Sequence, residues 1–267
     1  MPDVTSDFPD AASASLLDIY LALSHIGGPS AGPLAPLPGE APEETPRAHI
    51  ARLADGHWRV FIRPDLPAAI RDQLAALSPA TLFADYARVA SILAQGDVSA
   101  QTASGLGAGL WIGRTLLFPD SLADDVASAQ SAFGNLVRLA PARDGGDPYG
   151  GSAPAADRLR PAIAPADEAP PAREVFPGEQ FAALADGVVV ATCLSARESA
   201  LAAEAWVRTL PAARGRGHAT RVTAAWALDV RRRGKTPFYS HHRENSGSAG
   251  VARALRLIPF LDDVGYL

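Results

Sequence analysis

Cysteine, methionine and lysine are almost absent from this chain, which has only Cys193, Met1 and Lys235. A single cysteine excludes an intrachain disulfide and any cysteine-built metal site. The lone lysine, among many arginines and alanines, reads as genome composition bias rather than mechanism. No apolar run approaches the roughly 18 residues that a membrane-spanning helix needs. The opening MPDVTSDFPDAASAS is acidic and lacks an apolar centre, so no signal peptide is expected. The formal net charge of −5 argues against a general nucleic-acid binder, whose affinity comes from neutralising phosphates. These absences lead us to expect a soluble, cytoplasmic protein with neither a membrane nor a nucleic-acid partner.

The 267 residues, 48% of them hydrophobic, suffice for one large domain or two small ones. Proline-rich stretches at Gly27–Pro46 and Pro141–Arg173 cannot form helix or central strand and read as linkers or loops. They divide the chain into residues 1–46, 47–140, 141–172 and 173–267. Helical spacing marks SLLDIYLALSHI in the first part. In the second, HWRVFIRPD alternates as a strand, LPAAIRDQLAAL and PATLFADYARVASILAQG read as two helices, and RTLLFP as a strand. The fourth part has the sharpest pattern. FAALADGVVVATCLSA forms a hairpin around Asp186-Gly187, and ALAAEAWVRTL is a strand. GHATRVTAAWALDVRRRG is a helix, TPFYS a buried strand, and ENSGSAGVARALRL a helix with Asn245 suited to its N-cap. IPFLDDVGYL would add an edge strand.

Between the EAWVRTL strand and its helix lies LPAARGRGHATR, with three arginines, two glycines and a histidine. A tight turn needs one glycine, and clustered arginines repel unless an anion sits among them. A helix beginning after Gly217 exposes unpaired N–H groups at a positive dipole end. Glycines let backbone approach a ligand closely, so such a turn suits a phosphate or pyrophosphate. A P-loop would need its lysine here, and a dinucleotide fold a third glycine that this turn lacks. Neither fits.

The run Arg214-Gly215-Arg216-Gly217-His218-Ala219 does resemble the acyl-CoA-binding turn of the GNAT N-acetyltransferase superfamily, Gln/Arg-x-x-Gly-x-Gly/Ala. The resemblance extends over roughly residues 176–267, through the order strand, pyrophosphate turn, helix, strand, Asn-led helix. It implies an α/β (α+β) fold: a GNAT-like mixed sheet with flanking helices in the C-terminal half, preceded by a smaller α+β region. Residues 141–172 would then be a linker or hold shortened first elements of that core. In the family the fourth and fifth strands splay apart around the pantetheine arm. Carried over, Val207 and Thr209 would bond the arm through backbone groups. Arg214, Gly215, Arg216, Gly217, His218, Ala219 and Thr220 would wrap the pyrophosphate, and Asn245 and Ser248 would contact the coenzyme A tail. Asn245 can equally be a plain helix cap.

The implied reaction transfers an acetyl group from acetyl-CoA directly to a primary amine, on a small molecule or peptide, without metal. An ammonium cannot attack until a base takes its proton, and Glu204, in an otherwise apolar strand, is the candidate. Family members often protonate the departing thiolate with a tyrosine in the last helix. Here that position falls on Ala252, leaving Tyr239, Ser240 and His241 as neighbours, of which we take Ser240. The alternative is a non-catalytic acyl-CoA-binding module, and a homodimer is compatible with either. His241-His242 lacks a third ligand, so no metal is expected. Trp226 and Cys193 read as core, Arg231–Arg233 as a helix terminus, and His49 and His57 as strand flanks without a visible partner.

Overall fold

The computed structural model describes residues 16–23, 45–95, 109–122, 136–139, 180–186 and 188–267. The two proline-rich stretches fall almost entirely outside them, as do Gly96 and Gly187. The elements in chain order are α1 (Leu16–Leu23), β1 (Ala48–Leu53), β2 (Trp58–Ile62), α2 (Ala68–Ala75), α3 (Pro79–Ala84), α4 (Tyr86–Ala94), β3 (Leu110–Leu117) and β4 (Leu136–Leu139). They continue with β5 (Gln180–Ala185), β6 (Val188–Glu198), β7 (Ala202–Thr209), a 3-10 turn (Pro211–Ala213), α5 (His218–Arg232), β8 (Thr236–His242), α6 (Ser246–Ala254) and β9 (Ile258–Tyr266). The fold is mixed α/β, with helices flanking sheet strands of both directions, and the C-terminal order of elements is the one the sequence implies.

The chain forms two compact units, one of Met1–Leu116, Ser240–Asn245 and Pro259–Leu267, the other of Leu117–Tyr239 and Ser246–Ile258. In the first, the strand order is β2-β1-β9-β3. β1 pairs antiparallel with β2 on one side and β9 on the other, Ala48 opposite both Ile62 and Tyr266. β9 is therefore an interior strand and not the edge its sequence suggests. Its last six residues, Leu261–Tyr266, are all buried, which an edge strand would not need. β1, AHIARL, is too short and too weakly alternating to be read from sequence, and His49 lies inside it. Ile50, Val264 and Tyr266 pack against Ile70, Leu74, Phe83 and Val89 of α2–α4, and the Tyr266 hydroxyl donates to the Leu82 carbonyl at 2.6 Å.

PATLFADYARVASILAQG forms two helices rather than one. Asp85 leaves helical geometry at φ −96°, ψ 69°, and its carboxylate accepts the Arg88 N–H, capping α4. Aspartate favours such a cap over a helix interior, because its short side chain reaches the free N–H groups of the first turn.

In the second unit the order is β8-β7-β6-β5-β4. β5 and β6 form the expected hairpin, with Asp186 at φ 51°. α5 packs on β5, β6 and β7, burying Val222, Trp226 and Val230. The Trp226 indole donates to Ser195 Oγ at 3.1 Å. The arginines ending α5 are tied by specific bonds: Arg231 to the Phe118 and Pro119 carbonyls, Arg232 and Arg233 to Asp229.

Successive acids on β9 point to opposite faces, as a strand requires. Asp263 accepts from the Trp111 indole at 3.2 Å and pairs with His49 at 3.0 Å. Gly113 makes room for this cluster: an added Cβ would lie 2.3 Å from Trp111 Nε1 and 2.5 Å from Asp263 Oδ1. We expect Gly113→Ala to lower stability by about 1–3 kcal/mol, the usual cost of overpacking. Gly265→Ala, whose Cβ would meet Pro46 at an ordinary 3.5 Å, should cost less. Denaturant midpoints of the two variants check this order.

Candidate functional site

β7 and β8 run parallel, but their register ends early. Ala202, Ala203 and Glu204 face Thr236, Pro237 and Phe238, and no partner follows although β7 continues to Thr209. On its other side β7 stays paired with β6, Val207 opposite Cys193 and Thr209 opposite Ala191. The β8-facing edge of Val207 and Thr209 thus lacks a strand partner, and such an edge is a template for an extended ligand bearing amides. Thr209 Oγ1 is buried there with no hydrogen-bond partner.

The chain then turns through Pro211–Ala213 into the arginine-glycine segment. Gly215 and Gly217 both adopt φ +75°, the left-handed region where a side chain would be strained. The backbone N–H groups from Gly215 to Thr220 donate to no described backbone carbonyl; the first to do so is Arg221, to Gly217 at 3.2 Å. Gly217 caps α5 without a side-chain bond. The result is a run of successive donors at the positive end of a fifteen-residue helix. Arg214 and Arg216 are exposed beside it, and Arg214 Nε reaches the Thr209 carbonyl at 3.4 Å. Arg221 contacts His218 Nδ1 at 2.7 Å. Partial burial, then the charges of Arg221 and Arg216, hold the His218 imidazole below its ordinary 6.5. The proposed pyrophosphate wrap, Arg214 through Thr220, is therefore one continuous concentration of donors and cations.

Glu204 is buried on β7, and Arg197 Nη1 donates to its Oε2 at 3.0 Å. The sequence gives no sign of this pairing. Arg197 faces Glu204 only because a bulge between Ser195 and Arg197 shifts the β6 register by one residue. Tyr239 is buried on β8, its hydroxyl reaching the Ser248 carbonyl at 3.5 Å. Burial pushes its phenol up to about 12. Ser240 Oγ shares a 3.0 Å hydrogen bond with Thr115 Oγ1, which donates to the Tyr20 hydroxyl. Ser240 and Asn245 belong to the first unit, and the other candidate residues to the second. The Asn245 N–H donates to the His242 carbonyl at 2.9 Å, directly before α6. Ala252 is buried on α6. Cys193 is fully buried, its thiol pushed up by burial, and is a core residue. Among the described residues no group of three His, Cys, Asp or Glu side chains is placed to hold a metal ion. No described helix is long and apolar enough to cross a membrane.

No protein-family profile matches the chain, and no curated protein matches it. Among solved structures, it is similar to a GNAT-family protein from Novosphingobium aromaticivorans at 17% identity over 60% of this chain and 69% of that one, TM-score 0.34. A GCN5-related N-acetyltransferase-like protein from Streptococcus suis matches at 16% identity over 60% and 64%, TM-score 0.41. A GNAT-family acetyltransferase from Colwellia psychrerythraea matches at 14% identity over 95% and 97%, TM-score 0.40. At these values the likenesses say nothing of what this chain acts on.

His218 reports on the surroundings of this turn, burial first and the Arg221 and Arg216 charges second. An NMR titration should place its imidazole below 6.5. Folding then favours the neutral ring, so its contribution to stability is present above pH 6.5 and lost as pH falls through the folded value.

Proposed function

We propose that this protein is an N-acetyltransferase that binds acetyl-CoA at the β7–α5 turn and transfers the acetyl group to a primary amine. The observation that carries the proposal is the run of unbonded N–H groups from Gly215 to Thr220, set between left-handed glycines and flanked by Arg214 and Arg216. Oriented N–H groups at a helix N-terminus hold a pyrophosphate without a lysine. The open edge of Val207 and Thr209 supports the same reading, since the pantetheine arm carries amides that can bond to a strand edge.

In the proposed reaction Glu204 takes a proton from the acceptor ammonium, directly or through a water. The freed amine attacks the thioester carbonyl and a C–N bond forms; the C–S bond breaks, and the nitrogen's second proton passes, directly or through water, to the departing thiolate to give the free thiol. A backbone N–H near Thr209 would stabilise the developing oxyanion. Free thiols ionise near ~8.5, so the thiolate leaves tolerably even with Ala252 where a donor would help.

A second reading is an acyl-CoA-binding module without catalysis. The Arg197–Glu204 ion pair favours it, because the guanidinium already occupies Glu204 Oε2.

Calorimetric titration with acetyl-CoA, with ATP as comparator, tests the cradle. We expect micromolar binding of acetyl-CoA, abolished by Gly217→Glu, which would set a carboxylate where the pyrophosphate lies. A Cβ at Gly217 meets nothing within 4 Å, so this variant should fold, with about 1–2 kcal/mol of backbone strain. Undiminished affinity would sink the assignment. Glu204→Gln separates the two readings: an enzyme should keep its acetyl-CoA affinity and lose turnover, by about 10²-fold or more for a general base. A module shows no turnover with any amine, whether or not Glu204 is present.

A further inference from the structure

Three guanidiniums converge on the other acid of β9, Asp262. Arg114 donates Nε to Oδ1 at 2.7 Å and Nη2 to Oδ2 at 3.2 Å. Arg52 Nη2 reaches Oδ2 at 3.0 Å and Arg243 Nη2 reaches it at 3.4 Å. All four residues belong to the first unit. The sheet brings them together: Arg52 on β1 is the register partner of Asp262, and the Arg243 N–H donates to the Ile112 carbonyl two residues before Arg114. The Arg52 guanidinium also lies over the Trp58 and Phe83 rings, at 5.8 and 5.3 Å from their centroids.

One arginine would neutralise Asp262, so three leave this quartet two positive charges in excess. No other carboxylate among the described residues pairs with Arg52, Arg114 or Arg243. Their side chains are 42–44% exposed, while the Asp262 side chain is 10% exposed. The carboxylate is enclosed and its acceptor capacity taken up, while the guanidiniums keep N–H groups facing water. Mutual repulsion makes the second and third arginine unfavourable as mere ion-pair partners. An anion of matching charge relieves that repulsion.

We propose that Arg52, Arg114 and Arg243 form a binding site for a phosphate monoester, with Asp262 fixing the orientation of the three guanidiniums. Guanidinium forks match phosphate oxygens in pairs. A phosphate monoester near neutral pH offers three terminal oxygens and close to two negative charges, which fits three donors and the excess charge. A single carboxylate offers two oxygens and one charge. The group belongs to a small molecule separate from any ligand of the β7–α5 turn, because all four residues lie in the first unit.

Inorganic phosphate is the probe, titrated calorimetrically at constant ionic strength into the Gly217→Glu protein, whose cradle can no longer hold a phosphate. We expect saturable binding there, weakened at least about tenfold by adding Arg243→Gln. Arg243 is exposed and makes one 3.4 Å bond to Asp262, so thermal unfolding should show the variant folded. Absent binding in Gly217→Glu, or equal binding with and without Arg243, overturns the proposal. Arg243→Gln in the otherwise native chain should leave acetyl-CoA affinity unchanged while phosphate binding at the quartet is lost; loss of both overturns the assignment to a separate small molecule. Should acetyl-CoA fail to bind the native protein, the phosphate titration still decides the site.

Discussion

The parallel pairing of β7 with β8 ends at Glu204 and Phe238, and the candidate site depends on that ending. β7 is held on one side by β6 and covered by α5, so its backbone keeps its course to Thr209 without β8. An unpaired strand edge would be a liability in most sheets. Here it leads directly into a turn whose N–H groups are also unpaired. On the proposed reading, these two adjoining stretches, one an unpaired strand edge and one a helix start, would together suit a ligand that has amides at one end and phosphates at the other. Neither stretch alone would single out such a ligand.

Local chemistry was legible in the sequence, and long-range placement was not. The α5 stripe of Val222, Trp226 and Val230, the Asp186 hairpin and the left-handed glycines at 215 and 217 all follow from residues a few positions apart. Asp85 shows the limit of periodicity: the apolar spacing on either side of it is helical, and its capping preference alone divides α3 from α4. β9 reads as an edge because nothing near it in sequence reveals β1 as its partner. Arg197 opposite Glu204 stayed hidden behind a one-residue bulge, and a bulge leaves almost no trace in an alternating pattern.

Arginine performs three different tasks in this mildly acidic chain. Arg231 and Arg233 bind carbonyls and carboxylates at the end of α5 and are structural. Arg214 and Arg216 stand exposed at the start of the same helix. Arg52, Arg114 and Arg243 gather around one acid from separate elements. Net charge conceals all of this, because the arrangement of the guanidiniums, not their number, decides which can receive an anion.

The interior position of β9 has a kinetic consequence. His49 and Asp263 face each other from 214 residues apart, and the β1–β9 ladder has no local substitute. Closing so long a loop is slow compared with forming hairpins such as β5–β6. During synthesis the strand pairs of the second unit can assemble while β1 still lacks a neighbour on one side. That edge stays open to other chains until the last strand emerges, so folding yield should depend on how long a nascent chain waits there.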